Sequence, residues 1–72
     1  MSSPLDIARD EWPALRWREA RRAPARIVGV GRVGWLRVKV IVWDGGDVTG
    51  CGPTVSGLPL RAALRELRGR IA

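Results

Sequence analysis

The clearest pattern along the chain is the strict alternation of residues from Trp35 to Trp43. Successive side chains of a β-strand point to opposite faces, so this segment is predicted to be a strand. One face carries an aliphatic row suited to a core, namely Leu36, Val38, Val40 and Val42. The other face carries Trp35, Arg37, Lys39, Ile41 and Trp43. This second face is too apolar for a surface that contacts only solvent and too charged for a core. It is therefore the candidate binding face.

Two neighbouring strands are predicted on either side of this segment. A first strand at residues 26–31 leads into it through a turn, and a loop of Val33 and Gly34 would set Arg32 beside Trp35. After it, the two central glycines of residues 44–47 readily supply the positive φ angles of a tight hairpin. The chain would return over residues 48–52. That pairing places Val48 opposite Trp43 and predicts Cys51 opposite Val40 as a small buried residue.

Helices are predicted at both ends of the chain. Ser3 and Pro4 suit an N-cap and a first helical position, and residues 3–22 read as helical with a break at Pro13. We expect a short piece over residues 4–10 and a second helix from Pro13, with Asp10 and Glu11 near its start. The closing helix should begin near Leu58. Its apolar stripe is Leu60, Ala63, Leu64, Leu67 and Ile71, and a neighbouring cationic stripe is Arg61, Arg65 and Arg68.

These elements predict a single α+β domain over residues 1–72. Its order is α-β-β-β-α: an N-terminal helix that is broken at Pro13, a three-stranded antiparallel meander and a C-terminal amphipathic helix.

Composition narrows the range of functions. The net charge of +6 would attract polyanions, although an arginine-rich, alanine-rich and glycine-rich chain is also what a GC-rich genome produces. Histidine and tyrosine are absent and there is one cysteine, so we expect no enzyme, no cofactor and no structural metal. No apolar run nears the roughly 20 residues of a membrane span, and the first residues lack signal-peptide features. We therefore expect a soluble, cytoplasmic protein.

Part of the chain resembles known nucleic-acid-binding domains. Residues 36–42, then Gly50-Cys51-Gly52, then residues 61–67 resemble the strand, G-x-G and alanine-leucine helix of double-stranded RNA-binding domains, over about the last half of the chain. The chain departs from that family at residues 55–59, where the family has a lysine-rich helix start, and it lacks the long loop between the first two strands. Three strands plus a helix also resemble AP2-type and integrase N-terminal domains, which set the sheet on DNA.

The predicted function is nucleic-acid binding, DNA or RNA, by the candidate binding face. Its site residues are Trp35, Arg37, Lys39 and Trp43, with Arg32, Arg61, Arg65 and Arg68 as auxiliary phosphate contacts. The alternative is a protein-binding module, such as a phage or mobile-element inhibitor of a host complex, because Trp and Arg are favoured at protein interfaces. The same face could serve a homodimer. It could also be covered by the N-terminal helix with Trp12 and Trp17, which would leave no site.

Overall fold

A computed structural model describes residues 3–71 and confirms the α+β class, with helices at both ends of the chain. The elements are α1 (Pro4–Glu11), β1 (Leu15–Glu19), β2 (Ala25–Val33), β3 (Leu36–Trp43), β4 (Val48–Gly50), β5 (Thr54–Val55) and α2 (Leu60–Ile71). The strands form one antiparallel sheet in the order β1-β2-β3-β4-β5, a meander in which neighbours in sequence are neighbours in space. The sheet thus has five strands where the sequence predicted three.

Both helices pack on the same face of the sheet. α1 lies against β1 and α2, and α2 lies against β4 and β5. The core between the two layers contains Ala8, Trp12, Leu15, Trp17, Ile27, Val38, Val40, Val42, Val48, Val55, Ala63, Leu64 and Leu67. The aliphatic row predicted for β3 is therefore its buried face, apart from Leu36 at the strand's exposed start. Neither helix between residues 3 and 71 is long and apolar enough to cross a bilayer.

The prediction of a second helix from Pro13 was wrong, because residues 15–19 form β1. Ser3 and Pro4 begin α1 as predicted, and the Asp6 N–H donates to Ser3 Oγ at 3.2 Å. The helix then ends at Glu11, just before the proline. In β1, the side chain of Trp17 is buried and lies across Gly29 of β2. A Cβ on Gly29 would stand 2.7 Å from the Trp17 ring, so the missing side chain of this glycine makes room for the indole.

The β2–β3 hairpin turns one residue later than predicted. Its loop is Gly34-Trp35, with Gly34 at φ +63°, and a glycine at the first central position is typical of type II′ hairpins. As a result Arg32 pairs with Arg37 rather than with Trp35. The pairing shifts by two residues and side chains alternate with period two, so the face assigned to each residue of β2 and β3 is unchanged.

The β3–β4 hairpin turns through three residues, 44–46, and not through the four that the predicted pairing of Trp43 with Val48 requires, and this changes the position of Cys51. The Trp43 N–H donates to the Asp47 carbonyl at 2.8 Å, and the register places Gly50 opposite Val40. Cys51 therefore falls beyond the end of β4 and is exposed, at φ +40°, so the prediction of a buried cysteine was wrong. The buried position belongs to Gly50, where a Cβ would lie 3.0 Å from the side chain of Leu67.

Helix α2 follows its prediction closely. It begins at Leu60, and the Ala63 N–H donates to the Pro59 carbonyl at 2.9 Å, so the proline precedes the first helical residue. Ala63, Leu64 and Leu67 are buried, and Leu60 and Ile71 pack against the same core. The short β5 lies between the predicted third strand and the predicted closing helix, where no strand was predicted.

Candidate functional site

The face of the sheet opposite the helices is the candidate site and is called the open face below. Strand alternation and the observed registers place twelve side chains on it: Arg16, Arg18, Ala25, Val28, Val30, Arg32, Arg37, Lys39, Ile41, Trp43, Thr49 and Thr54. The predicted alternative in which the N-terminal segment covers this face was wrong. Trp12 and Trp17 lie in the core on the other side of the sheet, and the Trp17 indole donates to the Trp12 carbonyl at 2.9 Å.

Charge on the open face has one sign. It carries five cations, Arg16, Arg18, Arg32, Arg37 and Lys39, all exposed. No carboxylate is present among its twelve side chains. Of the ion pairs formed within residues 3–71, none includes any of these five cations. The open face therefore has a positive electrostatic field, and no ion pair within the described part of the chain neutralises it.

Arg32 and Arg37 form the most concentrated part of this field. They pair directly across β2 and β3, one step inside the two-residue loop. A pair at that step has its Cα atoms about 4.5 Å apart, the closer of the two antiparallel spacings. Like charges placed directly opposite each other destabilise a sheet. Their positions are what an anionic ligand would require, since it would turn this repulsion into shared contacts.

Aliphatic side chains occupy the middle of the open face. Val28 lies between Arg18 and Ile41 on the neighbouring strands, and it is buried although no helix covers it. Val30 lies between Arg16 and Lys39 and is 44% exposed. The stems of the neighbouring long side chains explain how Val28 is covered, because arginine and lysine lay their methylenes on apolar surface while the charge stays in water.

The two tryptophans predicted at the site occupy different environments. Trp35 lies in the β2–β3 turn, beyond the strand, and its side chain is 92% exposed. Trp43 lies at the other end of β3, half-buried, and its indole N–H donates to Thr49 Oγ1 at 3.1 Å. The hairpin tip therefore carries one free indole, and the far end of β3 carries another that is held against the sheet, about 26 Å away along the strand direction.

The cationic stripe of α2 lies in the other layer and contacts the end of α1. Arg61 Nη1 lies 2.6 Å from Asp10 Oδ2 and 3.2 Å from Glu11 Oε2, and Arg65 Nε lies 2.6 Å from Glu11 Oε1. Arg68 donates to the Glu11 carbonyl at 2.9 Å, a group that a helix C-terminus leaves without an intrahelical partner. Asp10 and Glu11 thus end α1 and do not begin a helix, and the structure does not bring these arginines together with Arg37 and Lys39.

The contacts between α2 and the end of α1, called the helix junction below, shift the pKa values of Glu11 and Arg61. The hydrogen bond from Arg65 lowers the pKa of Glu11, and the charges of Arg65 and Arg61 lower it further against the opposing effect of burial. Hydrogen bonds to Asp10 and Glu11 raise the pKa of Arg61. Both directions favour the charged forms, so the junction stabilises the packing of α1 on α2.

Sequence reasoning missed the cations of β1 and of the turn after it. Arg16 and Arg18 were assigned to a helix, as were Arg21 and Arg22, which are exposed in the β1–β2 connection. Arg21, Arg22 and Arg18 border one shallow depression together with Lys39. The alternation from Leu15 to Arg18 was the available signal, but it is only four residues long.

Comparison with known proteins adds no information about the site. No protein family, curated protein or solved structure matches the chain significantly. Among residues 3–71, no group of three side chains of the metal-binding types lies close enough to hold an ion.

Proposed function

We propose that the protein binds nucleic acid through the open face. The observation that carries the proposal is the segregation of charge: five exposed cations lie on one side of the sheet with no carboxylate among them, and both helices pack on the other side. Phosphate groups are the ligands that such a surface suits, because each contact releases condensed counterions. The acids that balance arginines elsewhere in the fold, Asp10 and Glu11, belong to the helix junction.

The size of the cationic surface sets the expected strength of its salt dependence. If all five cations contact phosphates of a duplex, log K should fall with log salt at a slope of about −4.5. Between 50 and 200 mM salt the affinity would then drop about 500-fold. A surface of this kind binds by charge and reads sequence only through additional contacts to bases.

Trp35 supplies a contact of another type. Its side chain projects from the hairpin tip next to the Arg32–Arg37 pair. An exposed indole can stack on a base, which is worth about 1 to 3 kcal/mol. We assign it to base or sugar contact at one end of the bound segment.

The test is a salt-titrated binding assay with single- and double-stranded DNA and RNA. On duplex DNA, Arg37→Ala combined with Lys39→Ala should weaken binding and flatten the slope from about −4.5 to about −2.7, because two of five phosphate contacts are lost. The matched control is Arg9→Gln combined with Arg70→Gln, which removes the same charge from the helical layer and should leave the slope unchanged. Equal slopes for the wild type and the Arg37/Lys39 variant would remove the open face as the site.

A second candidate function is protein binding, and the exposure of Trp35 beside Leu36 favours it. Tryptophan is prominent among hot-spot residues, and the hairpin tip presents an apolar protrusion flanked by arginines. A phage or mobile-element inhibitor of a host complex would use such a surface, and a homodimer could use it as well. Salt separates the two functions, since an interface centred on an indole responds weakly to ionic strength whereas phosphate contacts weaken steeply.

A further inference from the structure

The cations of the open face form two rows. Arg16 and Arg18 lie on β1, while Arg37 and Lys39 lie on β3. Because β2 separates these strands, the rows are two strand spacings apart, about 10 Å, and within each row the two positions are about 6.6 Å apart. Arg32 lies on β2, across from Arg37, and so occupies one end of the strip between the rows.

Apart from Arg32 at one end, the strip between the rows offers aliphatic contacts and no aromatic ring. β2 contributes Val28 and Val30 there, and Ile41 of β3 adjoins them. Surfaces that bind single strands combine a basic groove with aromatic side chains on which successive bases stack. On this sheet the only indole on the open face, Trp43, lies at the end of β3 and is hydrogen-bonded to Thr49.

We infer that the open face binds double-stranded DNA, with one cation row on each phosphate backbone of the major groove. This inference rests on the proposed function and adds the class of nucleic acid. The B-form major groove is about 12 Å wide, which matches two rows about 10 Å apart whose side chains reach outward. In A-form RNA the major groove is deep and narrow, so its two backbones are not presented at this separation.

If each row contacts a different backbone, the affinity lost with a row differs between duplex and single-stranded DNA. A uniform basic patch would not show this difference. On a duplex, each row has its own backbone, so neither row can replace the other. On a single strand there is one backbone, and whichever row remains can hold it. Loss of either row should therefore weaken duplex binding strongly and single-strand binding little.

The experiment compares two row variants by fluorescence anisotropy on a short blunt DNA duplex, an RNA duplex of the same sequence and each single strand. One variant is Arg16→Gln with Arg18→Gln, and the other is Arg37→Gln with Lys39→Gln. Each should weaken binding to the DNA duplex about 50-fold at 100 mM salt and reduce the slope by about 1.8. Each should change single-strand binding by less than about threefold, because one row of contacts survives.

The outcomes separate this inference from the function on which it rests. Preference for the DNA duplex with the row effects above supports it. Equal or tighter binding to single strands or to the RNA duplex overturns it while nucleic-acid binding stands. Binding to none of the four probes overturns both. Circular dichroism and urea unfolding of each variant verify that the fold is retained, so that a loss of affinity is assigned to the missing charges.

Discussion

The charge of Arg37 should lower the stability of the folded protein. This destabilisation can be measured without any ligand. Its charge faces Arg32 across the hairpin and Lys39 two positions along the same strand, with no carboxylate on the open face to offset either. Replacing Arg37 by Gln removes both repulsions and keeps a side chain of similar polarity. We therefore expect Arg37→Gln to be more stable than the wild type, although it binds nucleic acid less well.

The magnitude follows from the geometry of the sheet. Neighbouring positions on one face place the charged groups about 7 to 8 Å apart, and at the dielectric of water each pair costs about 0.5 kcal/mol before screening. With a Debye length of about 30 Å at 10 mM salt and about 8 Å at 150 mM, two such pairs cost about 0.8 and about 0.4 kcal/mol. For a domain of this size these energies correspond to increases in melting temperature of about 3 to 6 °C and about 1.5 to 3 °C.

Urea unfolding at 10 mM and 150 mM salt, read by tryptophan fluorescence, measures the effect. Arg37→Lys is the matched control and should leave stability nearly unchanged, because the charge stays at the same position. Arg70→Gln, which removes the Arg70–Glu66 pair on α2, should not stabilise the protein. The reasoning is refuted if Arg37→Gln destabilises the fold at both salt concentrations, or if its gain in stability is the same at both.

Two further predictions concern the helix junction and the packing of β1. Because the pKa of Glu11 is lowered in the folded state, its contribution to stability is fully present above its ordinary value of 4.5 and is lost as pH falls through the lowered value. Thermal unfolding from pH 6 to pH 3 should therefore show a larger fall in melting temperature for the wild type than for Glu11→Gln, and parallel curves would contradict this account. Gly29→Ala should destabilise the protein by about 2 to 3 kcal/mol in urea, because its Cβ would stand 2.7 Å from the ring of Trp17. Gly45→Ala, whose Cβ would meet nothing within 4 Å, is the control, and equal stability of the two variants would show that Trp17 is not seated on Gly29.

The misassigned element shows where sequence reasoning reached its limit. Pro13 and the acidic residues Asp10 and Glu11 just before it suit a helix start, and residues 13–22 contain too few alternating positions to establish a strand. What makes β1 a strand is its pairing with β2, where Gly29 and Gly31 leave space for Trp17 and Leu15. That pairing joins residues 8 to 16 positions apart, and local propensity carries no information about it.

The candidate site, too, was predictable from the sequence only in part. Its chemistry on β3 was predictable, because the alternation of Arg37 and Lys39 with Val38 and Val40 assigns the charges to one face. Its full membership was not. β1 brought Arg16 and Arg18 to the same face, whereas α2 carried its arginine stripe to the opposite layer and onto the end of α1.

By itself, the sequence determined the elements whose hydrophobic and polar positions recur with a regular period over enough residues for that period to be recognised. These are β3 with its alternating faces, α2 with its stripe at spacings of three and four, and hence the α+β class. The tertiary structure alone decided the number of strands, the registers of both hairpins and the side of the sheet that the helices cover. The physical reason is that period is a property of neighbouring residues, whereas pairing and layer order depend on which distant surfaces fill each other's space.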